Sequence, residues 1–205
     1  MSAIRRLWWR GLYGPPIVVV SGLPRSGTSM AMRMLKAGGI PTVEDGQRGA
    51  DIDNPLGYFE HERVMRLAEE TDRAWLKRAR GKAVKIISYL LKELPRHNNY
   101  RVILLEREIG EVLASQAKML ERRGEVNPVD DDKMAANYES LVWRVNYLLK
   151  RSPHLETLRL RYADVVADPH GEARRINDFL GGGLDVAAMA AVVDPNLYRN
   201  RAESA

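Results

Sequence analysis

The sequence predicts an α/β fold, a three-layer sandwich with a central parallel sheet. Three observations predict it. The β-branched run Ile17-Val18-Val19-Val20 suits a strand buried on both faces, and a Gly/Pro loop ends it. Further apolar runs at 82–87, 100–105 and 155–160 are each followed by a helical pattern, and strands alternating with helices build a parallel sheet covered on both sides. No repeat or composition shift divides the 205 residues, a length that fits one domain, 1–205, with 1–15 as a basic, aromatic N-terminal arm and 194–205 as a polar C-terminal tail.

In chain order, the first strand leads into the loop Gly22-Leu23-Pro24-Arg25-Ser26-Gly27. Met30, Met34 and Leu35 then recur at helical spacing, so 28–36 reads as a helix that Gly38-Gly39 stops. A short strand follows at 40–43, then a long polar loop over 44–57. The spacing of Val64, Leu67, Ala68, Trp75, Leu76 and Ala79 predicts one helix over 60–80. The second strand, 82–87, precedes a short helix at 88–94, and the third strand, 100–105, precedes a helix at 108–123. A long helix over 131–150 turns Met134, Tyr138, Leu141, Val142, Val145, Leu148 and Leu149 inward. The run Asp130-Asp131-Asp132 at its start is read as a cap answering the helix dipole rather than as a metal site. The fourth strand, 155–160, is followed by a helical turn at 162–167. Asp168-Pro169 caps a helix to Leu180, which Gly181-Gly182-Gly183 ends, and a last helix covers 185–193.

Composition narrows the function. Hydrophobic residues make up 45% and charged residues 29%, as in ordinary globular domains. The net charge of +5 favours an anionic partner. There is no Cys, which excludes disulfides, thiol chemistry and Cys-type zinc sites. The N-terminal Arg5, Arg6, Trp8, Trp9 and Arg10 are interrupted by Pro15-Pro16 and followed by no cleavage signal, and no run approaches the ~18 apolar residues that span a bilayer. A cytoplasmic protein is expected, without stable membrane insertion, its tryptophans packed on the domain. The basic residues Arg78, Arg80 and Lys82 come with no aromatic-rich recognition motif, so no nucleic-acid partner is expected.

The stretch 17–39 carries the chemistry. A strand, a glycine loop and a helix N-terminus together aim backbone N–H groups and the helix dipole at one point, which makes an anion site. The loop nearly fits the phosphate-loop pattern GxxxxGK[ST], but Thr28 stands where that pattern has Lys. The cation is instead Arg25, with Ser26, Thr28 and Ser29 as hydroxyl donors. A guanidinium clamps tetrahedral oxyanions through several bonds, whereas ATP hydrolysis relies on the missing lysine. Ligands of parallel sheets sit at the carboxyl ends of the strands, so the end of the third strand, Arg107, and Ser115 eight residues on should face the same crevice.

Together these segments resemble the sulfotransferase family that uses 3′-phosphoadenosine 5′-phosphosulfate (PAPS). The match covers about 17–183 and has three parts: Pro24-Arg25-Ser26-Gly27-Thr28-Ser29; Arg107 with Ser115; and Leu160-Arg161-Tyr162-Ala163-Asp164-Val165 running through Asp168-Pro169 to Phe179-Leu180-Gly181. The resemblance implies a sulfotransferase-like, P-loop type fold. It implies that the first loop cradles the 5′-phosphosulfate and that Arg107 and Ser115 hold the 3′-phosphate. Two departures stand out. Ala163 occupies a position where the family commonly has Glu, and the family's Gly-rich C-terminal element is not visible, leaving Arg199 or Arg201 as its substitute.

The implied reaction moves a sulfuryl group to a hydroxyl or amine of a small-molecule or peptide acceptor. Arg25 and Lys85 would neutralise the leaving phosphate, with no metal. A general base is also required. Glu44, Asp45, Glu60 and His61 flank the long loop, and Asp45 is favoured because it follows the short strand on the crevice side. Lys85 could equally be a strand residue facing solvent. Tyr58, Phe59, Trp75, Tyr89 and Trp143 are candidates for an apolar acceptor pocket, each also at home in a core. Because the chain is short, that pocket is expected to be small, open or completed by a second copy in a homodimer. The alternatives are a nucleotide kinase or other P-loop NTPase, and a non-catalytic nucleotide-binding module.

Overall fold

A computed structural model describes residues 3–45, 59–125 and 130–197. Five parallel strands form one sheet in the order β2-β3-β1-β4-β5: β1 (Ile17–Gly22), β2 (Thr42–Val43), β3 (Ala83–Lys85), β4 (Tyr100–Glu106) and β5 (Leu155–Arg161). The central strand β1 is buried at all six positions, as its apolar run demands. It pairs with β3 through Val18–Ala83 to Val20–Lys85, and with β4 through Ile17–Tyr100 to Gly22–Leu105.

Alternation along the strands splits the core in two. Ile17, Val19, Tyr100, Val102 and Leu104 point to one face, where Val145 and Leu149 of the long helix α5 (Asp131–Arg151) cover them together with Leu90 and Leu91. Val18, Val20, Ile103 and Leu105 point to the other. There they meet α2 (Thr28–Ala37), α6 (Tyr162–Ala167), α7 (Pro169–Leu180) and α8 (Val186–Ala191) through Met34, Leu35, Val165, Ile176 and Met189. The helix α7 is read correctly to the residue: the Asp168 carboxylate accepts from Gly171 N at 2.8 Å, Pro169 opens the first turn, and Gly181 closes it in the left-handed region. The remaining helices are α1 (Ala3–Tyr13), α3 (Glu62–Met65) and α4 (Ile109–Arg123).

Three expectations are corrected. The helix over 60–80 is two pieces: α3, and a 3₁₀ turn at Ala74–Ala79. Arg63 and Glu70 would lie ~10 Å apart along a straight helix, yet Arg63 Nε reaches Glu70 Oε1 at 2.7 Å. The same carboxylate accepts from Trp75 Nε1 at 2.7 Å, and Asp72 Oδ1 accepts from Ala74 N at 2.8 Å. These polar contacts fold the segment back, so Trp75 stacks on His61 with ring centroids 5.3 Å apart. On α5, Val142 is exposed rather than inward, because Val145 and Leu149 alone meet the sheet closely enough to be buried. At the N-terminus the arm is a helix through Tyr13, and its tryptophans part company: Trp9 is half-buried against Tyr13, while Trp8 is 61% exposed. No helix among the described residues is long and apolar enough to cross a membrane.

Leu35 is fully buried between α2 and the sheet. Leu35→Ala is expected to lower unfolding free energy by about 2–5 kcal/mol in urea titration, through lost transfer energy and a residual cavity.

Candidate functional site

Two glycines shape the loop after β1. A Cβ on Gly22 would collide with Ser26 Oγ and lie 2.7 Å from the Leu105 carbonyl oxygen, so only glycine lets the chain pass this close to β4. Gly27 has φ of 98°, and a Cβ there would meet the Tyr162 ring, 2.9 Å from Cε2. Gly27 is the N-cap of α2 and offers no side chain, so no capping oxygen competes for the amides of the first turn. The Ser26 hydroxyl is buried with no hydrogen-bond partner, as is that of Ser21 just before it. A buried hydroxyl left without a partner carries a desolvation cost that a bond to a ligand oxygen would relieve.

Arg25 and Arg107 are in contact. Arg25 takes up a left-handed φ of 65°, a conformation that strains a non-glycine residue. Arg107 Nη1 donates to its carbonyl oxygen at 3.1 Å and holds it there. Arg25 Nε in turn donates to Ser115 Oγ at 3.1 Å. Arg107 is itself fixed on two further sides: Nε donates to Glu111 Oε2 at 2.8 Å, and the guanidinium lies 4.5 Å from the Tyr162 ring centroid. Both side chains of the Arg107–Glu111 pair are under 8% exposed, so this is a buried ion pair. Burial pushes the Tyr162 phenol above its ordinary pKa, while Arg107, Arg33 and Arg25 pull it back. An open cleft of about 160 Å³ lies beside them, between the exit of β4 at Arg107 and Glu108 and that of β5 at Arg161 and Ala163.

The structure therefore brings Arg25, Ser26, Gly27, Arg107 and Ser115 together, with Pro24, Thr28 and Ser29 on the same loop and helix start. Tyr162 and Glu111 join them without having been assigned a part by the sequence. The Glu111 signal was present as an i,i+4 charge pair with Arg107. Tyr162 lies in the third segment of the family match, but its contact with Arg107 joins distant parts of the chain. Arg199 lies outside the described residues.

The acceptor-side candidates form a second group at β3. Lys85 does not face solvent. Its side chain is 9% exposed, and Nζ lies 3.3 Å from Glu60 Oε1. Asp45 Oδ2 accepts from Glu62 N at 2.6 Å, and Asp45 N donates to the Glu60 carbonyl. Glu44 stands apart, bonded to Lys36 at 2.8 Å and to Thr42, and the Lys36 bond holds its carboxyl below the usual carboxylate range. His61 accepts from Arg63 N through Nδ1 and stacks on Trp75. Of the aromatic candidates, Phe59 and Trp75 are buried, Tyr89 and Trp143 are exposed, and Tyr58 lies outside the described residues. Among the described residues, no three His, Asp or Glu side chains converge as metal ligands. Asp130, at the N-cap of α5, makes no side-chain cap bond; Asp131 and Asp132 occupy the first turn.

A model of the sulfotransferase domain matches residues 15–200. The chain belongs to the sulfotransferase family. Solved relatives agree in fold. The sulfotransferase domain of the Synechococcus PCC 7002 olefin synthase superposes with a TM-score of 0.53 at 20% identity, covering 93% of this chain and 90% of that one. The sulfotransferase domain from the curacin biosynthetic pathway gives 0.51 at 14%, with 94% of each chain covered. Sulfotransferase STF1 of Mycobacterium tuberculosis H37Rv gives 0.60 at 15%, covering 93% and 74%. Comparison with curated protein sequences gave no match. In this sulfotransferase-family chain the five-stranded parallel sheet matches those folds.

Gly27→Ala is expected to lower the thermal midpoint measured by calorimetry, because the methyl group meets both an unfavourable φ and the Tyr162 ring.

Proposed function

We propose that the protein transfers a sulfuryl group from PAPS to a hydroxyl or amine of a small acceptor. The observation that carries this reading is the bond from Arg107, which lines the cleft, to the carbonyl of Arg25, which brings the two guanidinium-bearing segments together. Two guanidiniums from different strand ends suit a donor with an anionic group at each end. The residues present fit that donor: the Ser26 hydroxyl lacks a partner, the α2 amides are uncapped, and two glycines leave room for close approach.

In the proposed reaction the acceptor oxygen or nitrogen attacks sulfur and loses its proton. The bond between sulfur and the bridging oxygen breaks, and adenosine 3′,5′-bisphosphate leaves. The loop amides, Arg25 and Thr28 hold the 5′ end. Arg107 and Ser115 hold the 3′ end, the Arg25–Ser115 bond being exchanged for bonds to phosphate. Fixed positive charge where negative charge builds up is the main catalytic contribution. Lys85 turns from Glu60 to the bridging oxygen, which releases Glu60 to accept the acceptor's proton. Glu60 is preferred to Asp45 because Asp45 already spends Oδ2 on the amide of Glu62 and so shapes the start of α3.

Calorimetry separates this from a kinase: the protein is expected to bind adenosine 3′,5′-bisphosphate in preference to ATP with Mg²⁺, and Arg107→Ala to lose that binding. The opposite preference would overturn the reading. In a transfer assay with labelled donor, Glu60→Gln is expected to lower kcat about 10²- to 10⁴-fold with bisphosphate binding intact, whereas Asp45→Asn acts on stability.

A further inference from the structure

Arg33 belongs to no part of the loop motif, yet its setting is that of a ligand-binding cation. It lies four residues after Ser29 on α2, hence on the same face one turn on. Helical side chains lean toward the N-terminus, so a long one at this position reaches back toward the loop. Around it Met30, Ala31, Met32, Met34 and Leu35 are all buried, which leaves Ser29 and Arg33 as the partly exposed stripe of that stretch. The Arg33 Nε is shut off from solvent with no hydrogen-bond partner. Its electrostatic neighbours are Tyr162 and Asp194, and burial lowers its pKa. A half-buried guanidinium with an unused donor is costly unless something compensates it. Tyr162 is also the residue whose ring Arg107 covers, and Arg25, Arg33 and Glu111 all act on its phenol electrostatically.

We infer that Arg33 is a donor-binding residue, giving the cleft a third cation for the adenosine bisphosphate portion of the donor. The inference rests on the PAPS reading above. It assigns to α2 a cation that the family resemblance had left to Arg199 or Arg201 in the C-terminal tail.

The test is calorimetry of the full chain with adenosine 3′,5′-bisphosphate, paired with thermal unfolding without ligand. Arg33→Gln is expected to raise Kd about ten-fold or more, the loss of one charge-assisted contact, and to leave the ligand-free midpoint unchanged or higher. Arg33→Lys, which keeps the charge but not the fork, is expected to fall between. If wild type binds and Arg33→Gln binds equally well, the inference is overturned while the PAPS reading stands. If Arg33→Gln lowers the ligand-free midpoint and leaves Kd alone, Arg33 is a structural partner of Asp194 and the inference is again overturned. Absence of binding by wild type overturns both. Should Arg33→Gln fail to fold, Arg33→Lys decides: an unchanged Kd overturns the inference, and a raised one supports it.

Discussion

The site depends on how one buried guanidinium is satisfied. Arg107 leaves the end of β4 and is gripped by the Arg25 carbonyl, the Glu111 carboxylate and the Tyr162 ring. These come from three other segments: the loop after β1, the first turn of α4 and the start of α6. A charge removed from water must find partners, and here the partners are the parts that have to be held together. The left-handed conformation of Arg25 is sustained by the same bond. The interaction that neutralises Arg107 thus also fixes the shape of the anion loop.

The sheet explains why those segments meet. All five strands run parallel, so every strand delivers its carboxyl end to one rim. With β1 at the centre, the loop that follows it lies between the exits of β3 and β4. Lys85 arrives on one side and Arg107 on the other. The anion loop is flanked by cations because of strand order, although these residues lie 60 and 82 positions downstream of Arg25.

Much of this was legible in the chain because it is written locally. The run 17–20, the glycine loop and the Asp168-Pro169 start of α7 each combine a propensity with a stop signal, and each appears where expected. The 60–80 segment failed for the converse reason. Its apolar spacing is helical, but the Glu70 carboxylate ties Arg63 to Trp75 and outweighs the periodicity. Lys85 could not be placed from sequence, since in a strand buried on both faces the alternation that marks a solvent side is lost. Tyr162 was visible only as part of a matched segment, without a role, because its contact with Arg107 joins distant parts of the chain, and the same distance hid the electrostatic link between Arg33 and Tyr162.

The margins of the sheet have a consequence of their own. On one side β2 is only two residues long, too short to recruit a foreign strand. On the other, β5 is a full seven residues, and two of its carbonyls are engaged by side chains: the Leu155 carbonyl accepts from Thr157 Oγ1, and the Arg159 carbonyl from Arg175 Nη2 on α7. The Arg159 side chain, held by Glu106 and Asn146, adds charge along that border. Open parallel sheets risk propagating from chain to chain at such borders, and these side-chain contacts and charges work against self-templated assembly at this one.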